Sequence, residues 1–464
     1  MISYDQIEHS RLTHVGVRRS HNQDSSAVLM AADLEQWRQH GHVFLVADGM
    51  GGHAVGELAS ELASSIIPHT YHKYSGEGPG AALRKAFHEA NASIHSRGQQ
   101  NQEFAGMGTT STTLLLRPEG AWIGHVGDSR VYRIRGQKIQ QLSFDHSWIW
   151  EMARRQGIAP EDLVSEHRNN VIVRSLGPDP EVEVDIEGPH PVRPGDIYLI
   201  CSDGLSGPVS DEEMGAIATA LSPEEACRFL VHLANLRGGP DNITVLIVRM
   251  GDPHEIQNSQ SETGNKNKVA SGQWSDYWPS HWQLGTGHYF GPRRVSWTIV
   301  LLIVGLILAA GAVNLASDAI GHGASSKMAA SVILFVLAIG ALSAGSMGLI
   351  LHYYRHKRVP PDDDQAPGLH VYHEADCHVD RPLLDRLIEA EKTLAQEIRD
   401  NNWEVDWDAN TQHRQLGEQA VREKNLPVAF REYCRALLPL TDTMERYRNK
   451  EEIFQPLWDK VKRE

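Results

Sequence analysis

Val43-Phe44-Leu45-Val46-Ala47 runs without interruption into Asp48-Gly49. An unbroken apolar run of this length, closed by a turn-forming dipeptide, reads as a strand buried on both faces, because the usual alternation vanishes where neither face meets water. Ile197-Tyr198-Leu199-Ile200-Cys201-Ser202 runs into Asp203-Gly204 in the same way. Both strands deliver a carboxylate to their ends, so the expected fold brings acidic side chains to one sheet edge.

Outward from these strands, Thr109 to Leu116, Ala121 to Val126, Val131 to Ile134 and Ile139 to Leu142 form short β-branched runs joined by glycine-containing turns. They predict antiparallel sheet. Ala81 to Arg97 predicts an amphipathic helix, with Leu83, Phe87, Ala90 and Ile94 on one stripe and Gly98 at the cap position.

A chain of 464 residues exceeds one hydrophobic core. Its 41% hydrophobic and 22% charged residues are those of a folded protein. The net charge of -15 argues against a general nucleic-acid surface, which needs clustered Lys and Arg. Cys201, Cys227, Cys377 and Cys434 show no CxxC spacing, which suits a reducing compartment. The start, Met1-Ile2-Ser3-Tyr4-Asp5, lacks a signal-peptide pattern, so the first domain is expected on the side where it is made.

Four aspartates sit beside glycine or asparagine: Asp48-Gly49, Gly127-Asp128, Asp203-Gly204 and Asp241-Asn242. Singly, such dipeptides are ordinary turns. Converging from several strand ends, they suit a hard cation such as Mg²⁺ or Mn²⁺, which takes oxygen ligands. Gly49-Met50-Gly51-Gly52 is followed by neither Lys-Ser nor Lys-Thr, which argues against a phosphate loop.

The segments Gly16 to Asp24, Val46 to His53, Gly106 to Thr110, Val126 to Arg130, Cys201 to Gly204 and Gly239 to Thr244 match, in order, the motifs of the metal-dependent PPM-type phosphatases, the protein phosphatase 2C family. The chain most resembles the bacterial branch, over about residues 10–250. The resemblance implies an α+β fold: two antiparallel sheets packed face to face and flanked by helices. It implies a serine/threonine phosphatase holding two Mn²⁺ or Mg²⁺ ions, with a third in bacterial members. By that resemblance Asp48 bridges two ions, the Gly49 carbonyl binds one, and Asp203 and Asp241 bind the other. Asp128 matches the third-ion position, and Asp24 and Asn242 stand behind the ligands. Arg19 matches the phosphate-binding arginine; its plainer reading is a surface ion pair.

Paired cations lower the pKa of water and neutralise phosphoryl oxygens during in-line attack. Eukaryotic members place a histidine where this chain has Met50, and His53 is not at the matching position, which leaves the proton donor open. Asp145-His146-Ser147 through Gly177 resembles the family's flap, a segment that tunes substrate choice.

Residues 251–294 lose periodicity and read as a polar linker. Residues 295–316 and 328–351 are free of charged residues, each long enough to cross a hydrocarbon core of about 30 Å. Gly340, Ala344 and Gly348 recur at the spacing that allows close helix approach. Arg293-Arg294, Arg355, Lys357 and Arg358 flank the pair, predicting a multi-pass cell-membrane protein with both soluble parts cytoplasmic.

Residues 360–379 read as a second polar linker and 380–464 as an all-α domain. Within it Leu416-Gly417, Ala420, Ala429, Tyr433 and Ala436 match a single tetratricopeptide-like repeat, for which an ordinary helical hairpin is the simpler account. His370, His373, Cys377 and His378 lie close in sequence at irregular spacing for a metal site. The expected partners are phosphorylated proteins, the counterparts of Ser/Thr protein kinases, with a protein partner or a regulatory role for the tail. The competing class is a non-catalytic phosphoprotein-binding membrane scaffold, against which the complete aspartate set argues.

Overall fold

The structure, a computed structural model, describes residues 6–51, 54–158, 163, 171–251 and 370–454. In chain order the elements are β1 (Ile7–His14), β2 (Asp24–Leu29), α1 (Leu34–Gln39), β3 (His42–Met50), α2 (Ala54–Tyr74), α3 (Pro79–Gln100), β4 (Gly108–Thr109), β5 (Ser111–Arg117), β6 (Gly120–Val126), β7 (Arg130–Arg135) and β8 (Lys138–Gln141). There follow α4 (Trp148–Gln156), β9 (Asp185–His190), β10 (Ile197–Cys201), α5 (Asp203–Ser206), α6 (Asp211–Ala220), α7 (Pro223–Leu236) and β11 (Ile243–Met250). The tail contributes β12 (His373–Asp376), α8 (Arg381–Asp400), α9 (Trp407–Arg422) and α10 (Leu426–Phe454).

Two antiparallel sheets result, ordered β1-β11-β10-β7-β8-β12 and β2-β3-β5-β6-β9, with the short β4 on β3. The continuous apolar runs now have a physical cause. Along β3, Phe44 and Val46 face the layer between the sheets, whereas Val43, Leu45 and Ala47 face the layer under α2 and α3. Along β10, Tyr198 and Ile200 face the intersheet layer, and Ile197, Leu199 and Cys201 face the other side. A sheet covered on both faces thus needs apolar residues at every position. Cys201 is core, as its strand suggested. The helix predicted to end at Gly98 continues to Gln100 and is capped by Asn101.

The chain beyond residue 370 departs from its predicted organisation. Part of the segment read as a linker, 373–376, is a strand that pairs with β8 at the sheet edge. Residues 370–454 are no separate domain, because they belong to the same compact unit as residues 6–251. The apolar cluster beneath α6 and α7 runs directly into Leu384, Ile398, Phe430 and Leu437 of the tail. An apolar stripe on α7 that water would otherwise meet is the reason; the tail helices cover it.

Gly417 of α9 lies where a Cβ would come within 2.9 Å of the Tyr433 ring, and Ala420 and Ala429 are buried beside it. The small residues thus close one helical hairpin, packed on α6 and α7 and not on further repeats among the described residues. Asn410 ties three helices, donating to Glu391 Oε1 at 2.9 Å and to the Ala436 carbonyl at 3.0 Å. Among the described residues, no helix is long and apolar enough to cross a membrane. Both apolar stretches, 295–316 and 328–351, lie outside the described residues.

Candidate active site

The ends of central strands from both sheets meet at one edge. Asp48 ends the apolar run of β3, opposite Asp24 in the β2–β3 register. Asp203 opens α5 directly after β10, Asp241-Asn242 precede β11, and Asp128 lies in the turn from β6 to β7. Every aspartate singled out in the sequence therefore reaches the same neighbourhood.

The backbone there leaves little freedom. The Asp48 amide donates to Thr110 Oγ1 at 2.9 Å, and the Gly49 amide to the Gln23 carbonyl at 3.1 Å. A Cβ on Gly49 would stand 2.0 Å from the Gly56 carbonyl oxygen, so only glycine lets β3 pass α2 here. Asn242 clamps the loop that carries Arg19: its Nδ2 donates to the carbonyls of Val15 and His21, and its Oδ1 accepts from the Gln23 amide. Asn242 thus acts through backbone geometry.

The electrostatics are those of an acidic cluster. Burial, then the charges of Asp24, Asp203, Asp128 and Asp241, push the Asp48 carboxyl well above the ordinary range. Burial and then Asp241 raise Asp203. Burial followed by Asp203 and Asp145 takes Asp128 to about 8. Asp24 is pushed up to about 7 chiefly by burial, although Ser202 Oγ donates to its Oδ2 at 2.7 Å.

Asp24 Oδ1, Asp128 Oδ1 and Asp203 Oδ1 are buried and accept no hydrogen bond. Such atoms are costly unless something positive meets them. Arg19 reaches the cluster, its Nη2 donating to Asp241 Oδ2 at 2.7 Å, and Arg130 acts on Asp128 and Asp203 from nearby. Among the described residues, no three His, Cys, Asp or Glu side chains close a cage on their own. The oxygen-only donor set and its unpartnered atoms fit Mg²⁺ or Mn²⁺.

Beside Asp128 lies a network that the motifs did not reveal. His146 Nδ1 accepts from the Gly127 amide at 3.0 Å, and its Nε2 faces Asp185 Oδ2 at 3.0 Å. Arg174 Nη1 holds Asp185 Oδ1 at 2.8 Å. The two ends of the flap-like segment are thereby anchored to the Asp128 turn. Deep burial, then the neighbouring His146, lowers His125 to about 3, so it is neutral, with its Nδ1 2.8 Å from Thr112 Oγ1. The hydroxyl-rich run Thr109 to Thr113 was the legible sign of this network.

Met50 pairs with Gly108 in the β3–β4 register, and His53 lies outside the described residues. Among the described residues the tail histidines gather into no metal site: His373 Nδ1 meets Asp211 Oδ2 at 2.9 Å, His370 Nδ1 lies 3.3 Å from Glu187 Oε1, and Cys377 is buried against Gly215.

The model of the family described as protein phosphatase 2C matches residues 10–149. The serine/threonine phosphatase stp of Listeria welshimeri serovar 6b is 35% identical over 241 residues, spanning 51% of this chain and 93% of that protein. Protein phosphatase PhpP of Streptococcus pneumoniae serotype 2 is 34% identical over 250 residues, spanning 53% and 98%. A solved structure of the catalytic domain of serine threonine protein phosphatase PstP, in complex with 2 manganese ions, shares 32% identity at a TM-score of 0.45, covering 53% of this chain and 99% of that one. The chain belongs to the protein phosphatase 2C family and is a metal-dependent serine/threonine protein phosphatase that uses Mn²⁺ or Mg²⁺.

Proposed function

We propose that the chain is a membrane-anchored phosphatase that hydrolyses phosphoserine and phosphothreonine monoesters at a two-ion centre. The observation that carries the site is the convergence of Asp24, Asp48, Asp128, Asp203 and Asp241 with unpartnered buried oxygens. Asp48, the Gly49 carbonyl, Asp203 and Asp241 would hold the ions, with Asp128 serving a third. Such ions activate water and neutralise phosphoryl charge.

The protein's own groups do the rest. Arg19, half exposed beside Asp241, offers a planar fork to two phosphate oxygens. Asp24, backed by Ser202, orders solvent behind the ligands, and Asn242 keeps the Arg19 loop and Asp241 in register. Met50 supplies no proton to the leaving alkoxide.

The anchoring rests on residues 295–316 and 328–351 and on the basic residues that flank them. Residues 370–454 pack in one unit with residues 6–251, so a hairpin, if the two stretches cross, is the arrangement compatible with that packing. We read both soluble parts as cytoplasmic, acting on phosphoproteins made by Ser/Thr kinases.

The test is phosphate release from a phosphothreonine peptide by the full-length chain in detergent, with Mn²⁺, with chelator, and with Asp203→Asn. Activity that needs both metal and Asp203 supports the site. A folded chain that binds Mn²⁺ and never turns over would leave a phosphoprotein-binding scaffold instead. In sealed vesicles, a cysteine at Ser325 should label from the face opposite one at Glu77; labelling from the same face removes the hairpin.

A further inference from the structure

The tail touches the site's support at one point. Glu445 of α10 places Oε1 2.7 Å from His14 Nε2 and Oε2 3.2 Å from His232 Nδ1 of α7. His14 is the last residue of β1, five positions before Arg19. Its other nitrogen, Nδ1, accepts the Gly16 amide at 2.9 Å and faces Asn235 Nδ2 at 3.1 Å. A backbone N–H always donates, so Nδ1 must be bare and Nε2 must carry the proton. That proton points at Glu445.

Gly16 is the next link. It adopts φ +79, and a Cβ there would lie 2.1 Å from the Asp241 carbonyl oxygen. Immediately after it, the Val17 and Arg18 amides donate to the Gly239 carbonyl at 3.0 and 3.2 Å. The Arg19 loop and the Asp241 loop are therefore interlocked at a left-handed glycine that His14 secures.

We propose that Glu445 is a positioning residue of the phosphatase site: it fixes His14 as the Nε2–H tautomer, and His14 in turn holds Gly16 so that the Arg19 loop seats against Asp241. Docking alone does not account for this carboxylate. The tail is already held by the shared apolar cluster, by Arg435 on Glu225 and by Arg228 on Asp442. Glu445 instead reaches past α7 to His14, at the head of the Arg19 loop. That Arg19 and Asp241 serve phosphate and ion rests on the function proposed above; the placement of the loop does not.

The experiment is amide hydrogen exchange on the full-length chain in detergent and chelator, comparing wild type with Glu445→Ala and Glu445→Gln, followed by calorimetric titration with Mn²⁺. Glu445→Ala should speed exchange at Val17 and Arg18 about tenfold while α8 to α10 stay protected, since local openings are independent of global unfolding. Glu445→Gln retains an acceptor for the Nε2 proton and should stay near wild type. Mn²⁺ affinity should fall by about tenfold in the alanine variant, because the Asp241 loop interlocked at Gly16 loses its position, an effect at the low end of what supporting residues contribute.

Unchanged exchange at Val17 and Arg18 in Glu445→Ala overturns the proposal, as does a glutamine variant as loose as the alanine one. Should the tail itself lose protection in Glu445→Ala, His14→Asn decides, because it leaves Glu445 bound to His232: tight Val17 and Arg18 amides in that variant overturn the proposal too. Wild type that binds no Mn²⁺ would defeat the metal reading, while exchange would still decide the role of Glu445.

Discussion

Arg19 Nη2 and Asp241 Oδ2 stand 2.7 Å apart, bringing together residues 222 positions apart in the chain. The arginine side chain is 50% exposed, so the pair is worth only about 0–1 kcal/mol and is a poor explanation of the loop's stability. Its importance is competition. A cation held by Asp241 would compete with Arg19 for the carboxylate, and a guanidinium released from it would be available to phosphate.

Arg19→Ala should therefore separate two quantities. KM for a phosphopeptide is expected to rise roughly tenfold or more, the loss of a charge-assisted hydrogen bond. Mn²⁺ affinity, read by calorimetry, should stay constant or tighten, because a competitor for Asp241 has gone. Arg19→Lys should restore charge without the fork and recover only part of KM. Weaker Mn²⁺ binding in Arg19→Ala would contradict this account.

Asp203→Asn should stabilise the metal-free protein. Asp203 is held above the ordinary carboxylate range by burial and then by Asp241, so its charge opposes folding when no cation is present. Removing it should raise the melting temperature in chelator by about 2–4 °C, equivalent to roughly 1 kcal/mol in a domain of this size. Wild type should gain stability on adding Mn²⁺, and the variant should gain little. A variant that Mn²⁺ still stabilises fully would remove Asp203 from the ligand set.

The sequence made the catalytic half legible because its signals are local. An apolar run such as Val43 to Ala47 requires two covered faces, and the aspartate that ends it has to lie at a sheet edge. The tail was not legible for the converse reason. His373 to Asp376 is too short and polar to announce a strand, and its pairing depends on the edge of β8, more than 230 positions away in the chain. Glu445 looks like any helical glutamate until α7 and His14 stand beside it. Asp185 and Arg174 likewise gain meaning only through His146.

Phe430→Ala tests whether the tail is part of the fold. Phe430 is 1% exposed and shares one apolar cluster with Leu199, Leu230 and Ile247 of the catalytic half. Truncation should cost about 3–5 kcal/mol. Since the cluster is continuous, the amides of β10 and α10 should lose protection together as urea is raised. A tail that melts early and leaves the midpoint of β10 unchanged would show that the two parts fold independently.

Acid should release the tail before it disturbs the site. In Glu445, the hydrogen bond from His14 outweighs burial and lowers the carboxyl. In Asp442 and Glu225, burial pushes upward, but His232 and Arg228 on the one, and Arg435 on the other, lower each carboxyl on balance. A folded pKa below the unfolded one gives stability that is present above the unfolded value and lost as pH falls through the folded value. Docking should thus be level above about pH 5 and weaken below about pH 4.

The site carboxylates have the opposite sign. Asp24, raised to about 7, and Asp128, raised to about 8, favour folding while protonated and lose that contribution only as pH rises. Exchange measured in chelator from pH 6 to pH 3 should show α8 to α10 losing protection while β3 and β10 retain theirs for longer. Asp442→Asn combined with Glu225→Gln should flatten the tail's dependence below pH 5. A core that opens before the tail, or a double variant with an unchanged slope, would mean that these ion pairs do not govern docking.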